Sequence, residues 1–201
     1  TGGEGGAIQY SINGGTNWST TPPTRTDAGE TVVFVRVQGD ENHSDSTPVE
    51  AKITISRKDL SDPSITVGVS LDSYEYTGYE KEPTVLVRDG DRELVEGRDY
   101  NVNVENNINA GEAEVHVTGI GNYQGTADTT FTITKAPSVN PTVVDYNGIY
   151  DALPHSLGIS GGEGGTIEYS TDNGTTWLSE NPSRTESGET IVLVRVVGDL
   201  N

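Results

Sequence analysis

Apolar and polar positions alternate with a period of two along much of this chain. Val33, Val35 and Val37 fall on one side of a segment whose other side carries Phe34 and Arg36. Val102-Asn103-Val104 and Val115-His116-Val117 repeat the pattern, and Val85-Leu86-Val87-Arg88 follows it less cleanly. Successive side chains of a strand point to opposite faces, so this spacing predicts strands with one face on a core. Phe34 and its counterpart Leu193 leave the second face of that strand only partly wet. No segment holds the i, i+3, i+4, i+7 spacing of an amphipathic helix over three turns. Asn13-Gly14, Asp89-Gly90 and Asn173-Gly174 are hairpin-type dipeptides, because both residue types tolerate positive φ. Short strands separated by turn signals every 8–12 residues or so predict an all-β fold of sandwich or barrel type.

The chain also repeats itself. Gly2–Asn42 and Gly161–Asn201 align without a gap at an offset of 159 residues. Both begin GGEGG. Both carry the pairs Tyr10/Tyr169, Trp18/Trp177, Pro23/Pro182, Arg25/Arg184 and Gly29/Gly188, and both end in Arg-Val-x-Gly-Asp-x-Asn. Low complexity cannot produce an ungapped match across such mixed residue types, so this is a true internal duplication. A weaker repeat lies inside it. Ala28-Gly29-Glu30 and Ala110-Gly111-Glu112 each precede a valine-rich alternation. Each is followed by an asparagine beside a ring, Asn42-His43 or Asn122-Tyr123, and then by a closing strand, Ile53-Thr54-Ile55 or Phe131-Thr132-Ile133. The openings Tyr74-Glu75-Tyr76-Thr77-Gly78 and Val144-Asp145-Tyr146-Asn147-Gly148 correspond as well.

Three segments result. Residues 1–57 form a partial repeat lacking its opening strands, and 58–136 form a complete one. Residues 137–201 form a partial repeat homologous to 1–42 and lacking a closing strand. Pro63 and the Pro137/Pro141 pair mark the seams as short stiff linkers. Thr1-Gly2-Gly3 does not read as a natural start, so the chain is expected to be an internal segment. Cut repeats expose sheet edges, which invites head-to-tail contacts between the terminal repeats of neighbouring molecules.

Composition narrows the picture. Hydrophobic residues make up 31% of the 201, so each core must be thin. Nine tyrosines, 25 glycines and many β-branched residues nevertheless differ from a disordered composition. Twelve basic residues stand against 31 acidic ones, a net charge of -19. Nucleic acid is excluded as a partner, because its binding needs Lys and Arg to replace phosphate counterions. Anionic membranes are disfavoured on the same ground. There is no cysteine, hence no disulfide, and no apolar run long enough to span a bilayer.

The middle segment reads Tyr74-x-Tyr76-Thr77-Gly78, Pro83-x-Val85, Asp89-Gly90, Leu94, Gly97-x-Asp99-Tyr100, Asn106-Asn107-x-Asn109-Ala110-Gly111, Gly119-x-Gly121-Asn122-Tyr123-x-Gly125-Thr126 and Phe131-x-Ile133. This pattern resembles the MBG/YDG-type repeats of large bacterial surface proteins, which are bacterial Ig-like modules. The outer segments resemble related modules through Tyr146-Asn147-Gly148, the Tyr-Ser…Asn-Gly…Trp stretch and the Arg-Val-x-Gly-Asp ending. The resemblance implies tandem immunoglobulin-like β-sandwich repeats in a linear array, placed extracellularly on a bacterial surface. It implies a stalk or adhesin segment with no catalytic residue.

Few residues invite chemistry. Trp18 and Trp177 each follow a glycine-bearing hairpin. They read either as exposed platforms that stack on sugar rings or as rings closing one end of a thin sandwich. Asp89, Asp91 and Glu93 alternate about Gly90 and read either as a Ca²⁺ site or as a solvated turn. Tyr123 fits the structural role of a tyrosine corner, its hydroxyl bonding back to the chain. His43, His116 and His155 lack the spacing of a zinc site. Lys52 and Lys135 lie near closing strands, where some surface Ig-like domains carry a Lys–Asn crosslink. The expected function is a non-catalytic structural spacer. The alternatives are a glycan- or protein-binding module using the tryptophan loops, and an accessory part of a secreted glycan-degrading enzyme.

Overall fold

Alternating β-branched residues and glycine turns give this chain strands throughout. The computed structural model describes residues 5–201. Gly2, Gly3 and Glu4 of the first GGEGG motif therefore lie outside the described residues. The fold is all-β, with no helix among the described residues. In chain order the strands are β1 (Ile8–Ser11), β2 (Gly29–Val37), β3 (Val49–Ile55), β4 (Lys58–Asp59), β5 (Ile65–Val69) and β6 (Ser73–Glu75). There follow β7 (Val85–Asp89), β8 (Arg92–Glu93), β9 (Tyr100–Glu105), β10 (Gly111–Gly119), β11 (Tyr123–Gln124) and β12 (Thr126–Thr134). The last are β13 (Val139–Val144), β14 (His155–Ser156), β15 (Gly158–Glu163), β16 (Gly165–Ser170), β17 (Ser183–Arg184) and β18 (Leu193–Gly198). The larger sheets run β1-β2-β3, β6-β12-β10-β9 and β5-β7-β8, and the remaining strands form two-stranded pairs.

The chain divides into two units. The first takes in the chain up to Gly68 together with Val85–Asn103 and His116–Asp128. In it β2 pairs antiparallel with β1 and with β3, setting Tyr10 opposite Val35 and Val33 opposite Ala51. Val33 is buried, as its place in the alternation predicts, while Phe34 and Val35 are half-buried. The main core of this unit is Leu60, Val87, Leu94, Tyr100, Val117 and Tyr123. Fully burying an aliphatic or aromatic side chain of this kind stabilises by about 1.5–3 kcal/mol. β7 and β8 form a tight hairpin with Asp89 opposite Arg92, so its two loop residues are Gly90 and Asp91. β4 runs parallel to β11, Lys58 opposite Tyr123.

The second unit holds Val69–Thr84, Val104–Val115 and Thr129–Asn201. Phe131 and Ile133 of β12 alternate with exposed threonines and are buried with Ala113 and Val115. Tyr74 meets the Phe131 ring edge-on, centroids 5.3 Å apart. β6 runs parallel to the end of β12, Ser73 opposite Thr132. β16 and β18 pair antiparallel with Ile167 opposite Val196 and Tyr169 opposite Val194. That register is the one in which β1 meets β2, where Ile8 faces Val37 and Tyr10 faces Val35. The duplication therefore extends from sequence to strand pairing. The copies differ in length: β3 pairs with Gly29–Val35 and extends β2 to nine residues. β18 pairs on one side only and has six. Ile191, the counterpart of half-buried Val32, is consequently 73% exposed.

Candidate functional site

Three loop devices recur in this chain, and each is built from short-range hydrogen bonds. The first holds the tryptophans. After Tyr10 the Ser11 hydroxyl donates to Asn13 Oδ1 at 2.9 Å and accepts the Gly15 amide at 3.0 Å. Asn13 Oδ1 also accepts the Asn17 amide at 3.0 Å. In the second copy Ser170 donates to Asp172 at 2.8 Å, Gly174 donates to Ser170 at 2.8 Å, and the Thr176 amide donates to Asp172 at 2.8 Å. These bonds satisfy the turn backbone and aim the next side chain, as Asx and Ser/Thr turns do. The aimed side chain is Trp18 or Trp177, and both are half-buried. The Arg36 guanidinium lies 4.2 Å from the Trp18 ring centre, and that of Arg195 lies 3.9 Å from the Trp177 ring centre. One face of each ring is thus covered by a cation. Trp177 additionally donates its indole N–H to the Gly174 carbonyl at 3.1 Å.

Within this loop the two copies differ in charge at Asp172, whose counterpart is the neutral Asn13. The Thr176 hydroxyl, then the Thr176 amide and the Ser170 hydroxyl, bond its carboxylate and lower its pKa to about 2. Hydrogen bonds to the charged form are the cause, not burial.

The second device is an arginine staple. Arg25 donates through Nε to the Asp27 carbonyl at 2.7 Å and through one terminal nitrogen to the Ala28 carbonyl at 2.7 Å. Its other terminal nitrogen reaches the Thr31 hydroxyl at 3.0 Å. Arg184 makes the same set with Glu186, Ser187 and Thr190 at 2.8, 3.0 and 2.9 Å. The fixed fork of a guanidinium suits such a loop better than a lysine would. The staple requires glycine beneath it. Gly29 and Gly188 have φ of 130° and 133°, and a Cβ there would lie 2.2 and 2.4 Å from the arginine nitrogen.

The third device joins segments far apart in sequence. Asn122 Oδ1 accepts the Ala28 amide at 2.7 Å, and its side-chain nitrogen donates to Asp27 at 2.9 Å. The Asn122 carbonyl accepts the Lys58 amide at 2.9 Å. In the second unit Asn201 Oδ1 accepts the Ala110 amide at 3.1 Å, and the Asn201 carbonyl accepts the Ala136 amide at 3.2 Å. Ala28 and Ala110 are the alanines of the two Ala-Gly-Glu motifs, and Lys58 and Ala136 each stand three residues beyond a closing Ile55 or Ile133. The same asparagine joint is therefore made twice. Beside the first lies an open cleft of 460 Å³ lined by Asp27, Ala28, Arg92, Arg98, Asp99, Gly121 and Asn122.

No family model, no curated protein and no solved structure matches this chain. Asp99 is buried, and Arg98 donates to it at 2.6 Å while the Val95 amide donates at 3.0 Å. The Arg98 bond, opposed by desolvation, holds the Asp99 pKa below the ordinary carboxylate value. An aspartate so fixed is ionised at neutral pH, which suits structure and not proton donation.

The carboxylates that read from sequence as either a Ca²⁺ site or a solvated turn are spread across the β7–β8 hairpin. Asp89 pairs with Arg92 and Glu93 with Arg88, so Asp89 and Glu93 project from opposite faces. Asp89 accepts Lys58 Nζ at 2.6 Å and the Ser64 hydroxyl at 2.9 Å. Glu93 accepts Arg88 at 3.0 Å, and Asp91 is exposed in the turn. Tyr123 is buried, and its hydroxyl donates to the Asp89 side chain at 3.2 Å and not to a backbone carbonyl. Lys58, then Ser64 and Tyr123, keep the Asp89 pKa low. His43, His116 and His155 pair with Asp40, Asp128 and Asp151 at 2.8, 2.9 and 2.9 Å. Lys52 pairs with Glu30, which raises its pKa, and Lys135 donates to the Asp199 carbonyl at 2.7 Å. A crosslink needs a neutral amine, and the partner of Lys52 favours the charged one.

Sequence reasoning found the tryptophans and passed over Arg25, Arg184, Asn122 and Asn201 as chemistry. The signal was present: all four stand at repeated positions.

Proposed function

We propose that this chain is a run of successive immunoglobulin-like β-sandwich repeats, of the kind the MBG/YDG pattern describes, acting as a non-catalytic spacer. Its setting is a bacterial cell-surface or secreted protein, where it holds a distal domain away from the cell wall. The observation that carries the reading is the doubled asparagine joint. A chain selected to keep one repeat fixed against the next reuses one contact at each seam. The charge of -19 supports the same role, because strong self-repulsion keeps an exposed polymer soluble and extended. The tryptophans support it as well, since Arg36 and Arg195 each cover one ring face and leave a stacked sugar at most the other.

Small-angle X-ray scattering tests the proposal. A compact globule of this length has a radius of gyration of about 16 Å. The spacer gives a distinctly larger value and a rod-like distance distribution. A value near the globular one removes the basis of the reading.

A further inference from the structure

The asparagine joint has two halves, and the chain contains one more of each than it uses. The receiving half is the loop stapled by arginine in the first segment. Asn122 docks on Ala28 and Asp27 there. The Ser187 loop is the same loop in the second copy. Arg184 staples it with the bonds that Arg25 makes, and Gly188 has a φ of 133° against 130° for Gly29. Glu186 stands where Asp27 supplies its carboxylate. No described residue accepts from the Ser187 amide, and Ser187 is exposed. The loop thus holds the conformation of the occupied Ala28 loop, and preorganisation of this kind lowers the entropy lost on binding.

In the second joint the inserting asparagine is held by an aspartate two residues before it. Asp199 accepts the Asn201 amide at 2.7 Å, and Asn201 docks on Ala110. Asp40 accepts the Asn42 amide at 2.8 Å in the same way. Asn42 is exposed, and its side-chain amide bonds to no described residue.

We propose that these halves are complementary, and that the Ser187–Gly188 loop binds the Asn42 loop of a second copy of this chain. The Asn42 carboxamide oxygen accepts the Ser187 amide, and its nitrogen donates to Glu186. The inference rests on the repeat reading above, with the receiving loop of the first joint and the inserting asparagine of the second as its templates. Within one chain, tethering supplies effective concentrations in the millimolar range, so two or three hydrogen bonds suffice. Between copies the same contact is weak and is opposed by like charge, which added salt screens beyond a few ångströms.

Amide NMR of the full chain reads both parts. In N122A the Ala28 amide should exchange about fivefold faster or more, as loss of one such bond predicts, with Ala110 unaffected. In the native chain at high salt, raising the concentration into the millimolar range should shift the Ser187 and Gly188 amides and the Asn42 side-chain NH₂. N42A should abolish the Ser187 shift while leaving the rest of the spectrum in place, and S187P should abolish the Asn42 shift. Unchanged Ala28 exchange in N122A overturns the joint itself. Resonances of Ser187 and Asn42 that stay fixed with concentration overturn the docking between copies. A globular scattering profile with these NMR results intact would sink the spacer reading alone.

Discussion

Arg36 covers one face of Trp18, its guanidinium carbon 4.2 Å from the ring centre, and is itself held by Asp45 at 2.9 Å and by Gln9 at 3.0 Å. The ring, the cation and its two anchors come from three different stretches of chain. They lock the tryptophan loop onto β2. Replacing Arg36 with alanine should cost about 0.5–1 kcal/mol in chemical denaturation, the usual worth of a half-exposed cation–π pair. It should also raise iodide quenching of Trp18 fluorescence. Unchanged quenching would mean that the face is already open to solvent.

Gly29 and Gly188 sit beneath arginine staples at φ values that disfavour a side chain. Gly29→Ala must displace Arg25 or strain the backbone, and a destabilisation of about 1–3 kcal/mol is expected. Gly188→Ala should behave alike. Gly68→Ala, where no atom lies within 4 Å of the added carbon, serves as the control and should be tolerated far better.

Acid should act on one tryptophan loop and spare the other. Asp172 has a folded pKa of about 2, against an ordinary 3.8. A depressed carboxylate contributes stability that is fully present above the ordinary value and is lost as pH falls through the folded one. Between about pH 4 and 2 the Trp177 loop should loosen, and the Trp18 loop, with Asn13 in the same place, should not. Fluorescence of the W18F and W177F variants separates the two. D172N should remove the acid transition from the Trp177 signal.

Asp99 is buried with Arg98 and the Val95 amide bonded to it. Asp99→Ala leaves that amide without its acceptor and should cost about 1–3 kcal/mol, measured by urea denaturation. Its pKa is lowered, so its contribution too is present above the ordinary carboxylate value and fades as pH falls through the lowered one.

Tyr123→Phe removes one donor from Asp89 while Lys58 and Ser64 keep theirs. A loss of about 1 kcal/mol is expected, with the fold unchanged. Lys58→Met should cost more, because it strips a half-buried carboxylate of its charged partner.

The strands were legible because their information is local. Val115 and Val117 are buried where a period of two places them, and the GGEGG duplication returns as equal register in β1–β2 and β16–β18. The hairpin at Asp89-Gly90 was found one residue early, since Asp89 closes the ladder and Gly90-Asp91 turns. The carboxylates of that hairpin show a related effect. Alternation in sequence puts Asp89, Asp91 and Glu93 on one side only while the strand runs straight, and the turn reverses that side. Asn122 lay beyond reach for another cause. Its partner Ala28 is 94 residues away, and the pairing follows from how two segments meet. Both residues were visible as members of repeated motifs, but nothing local to either says that they touch.

The parallel pairing of β6 with the end of β12 has a mechanical consequence. If the chain is pulled at Asp72 and Lys135, the force enters at Ser73 and leaves at Thr134. Because Ser73, Tyr74 and Glu75 run in the same direction as Thr132, Ile133 and Thr134, that tension slides the two strands past each other. Their hydrogen bonds then share the strain together, as in a shear joint, instead of parting one by one like a peeled tape.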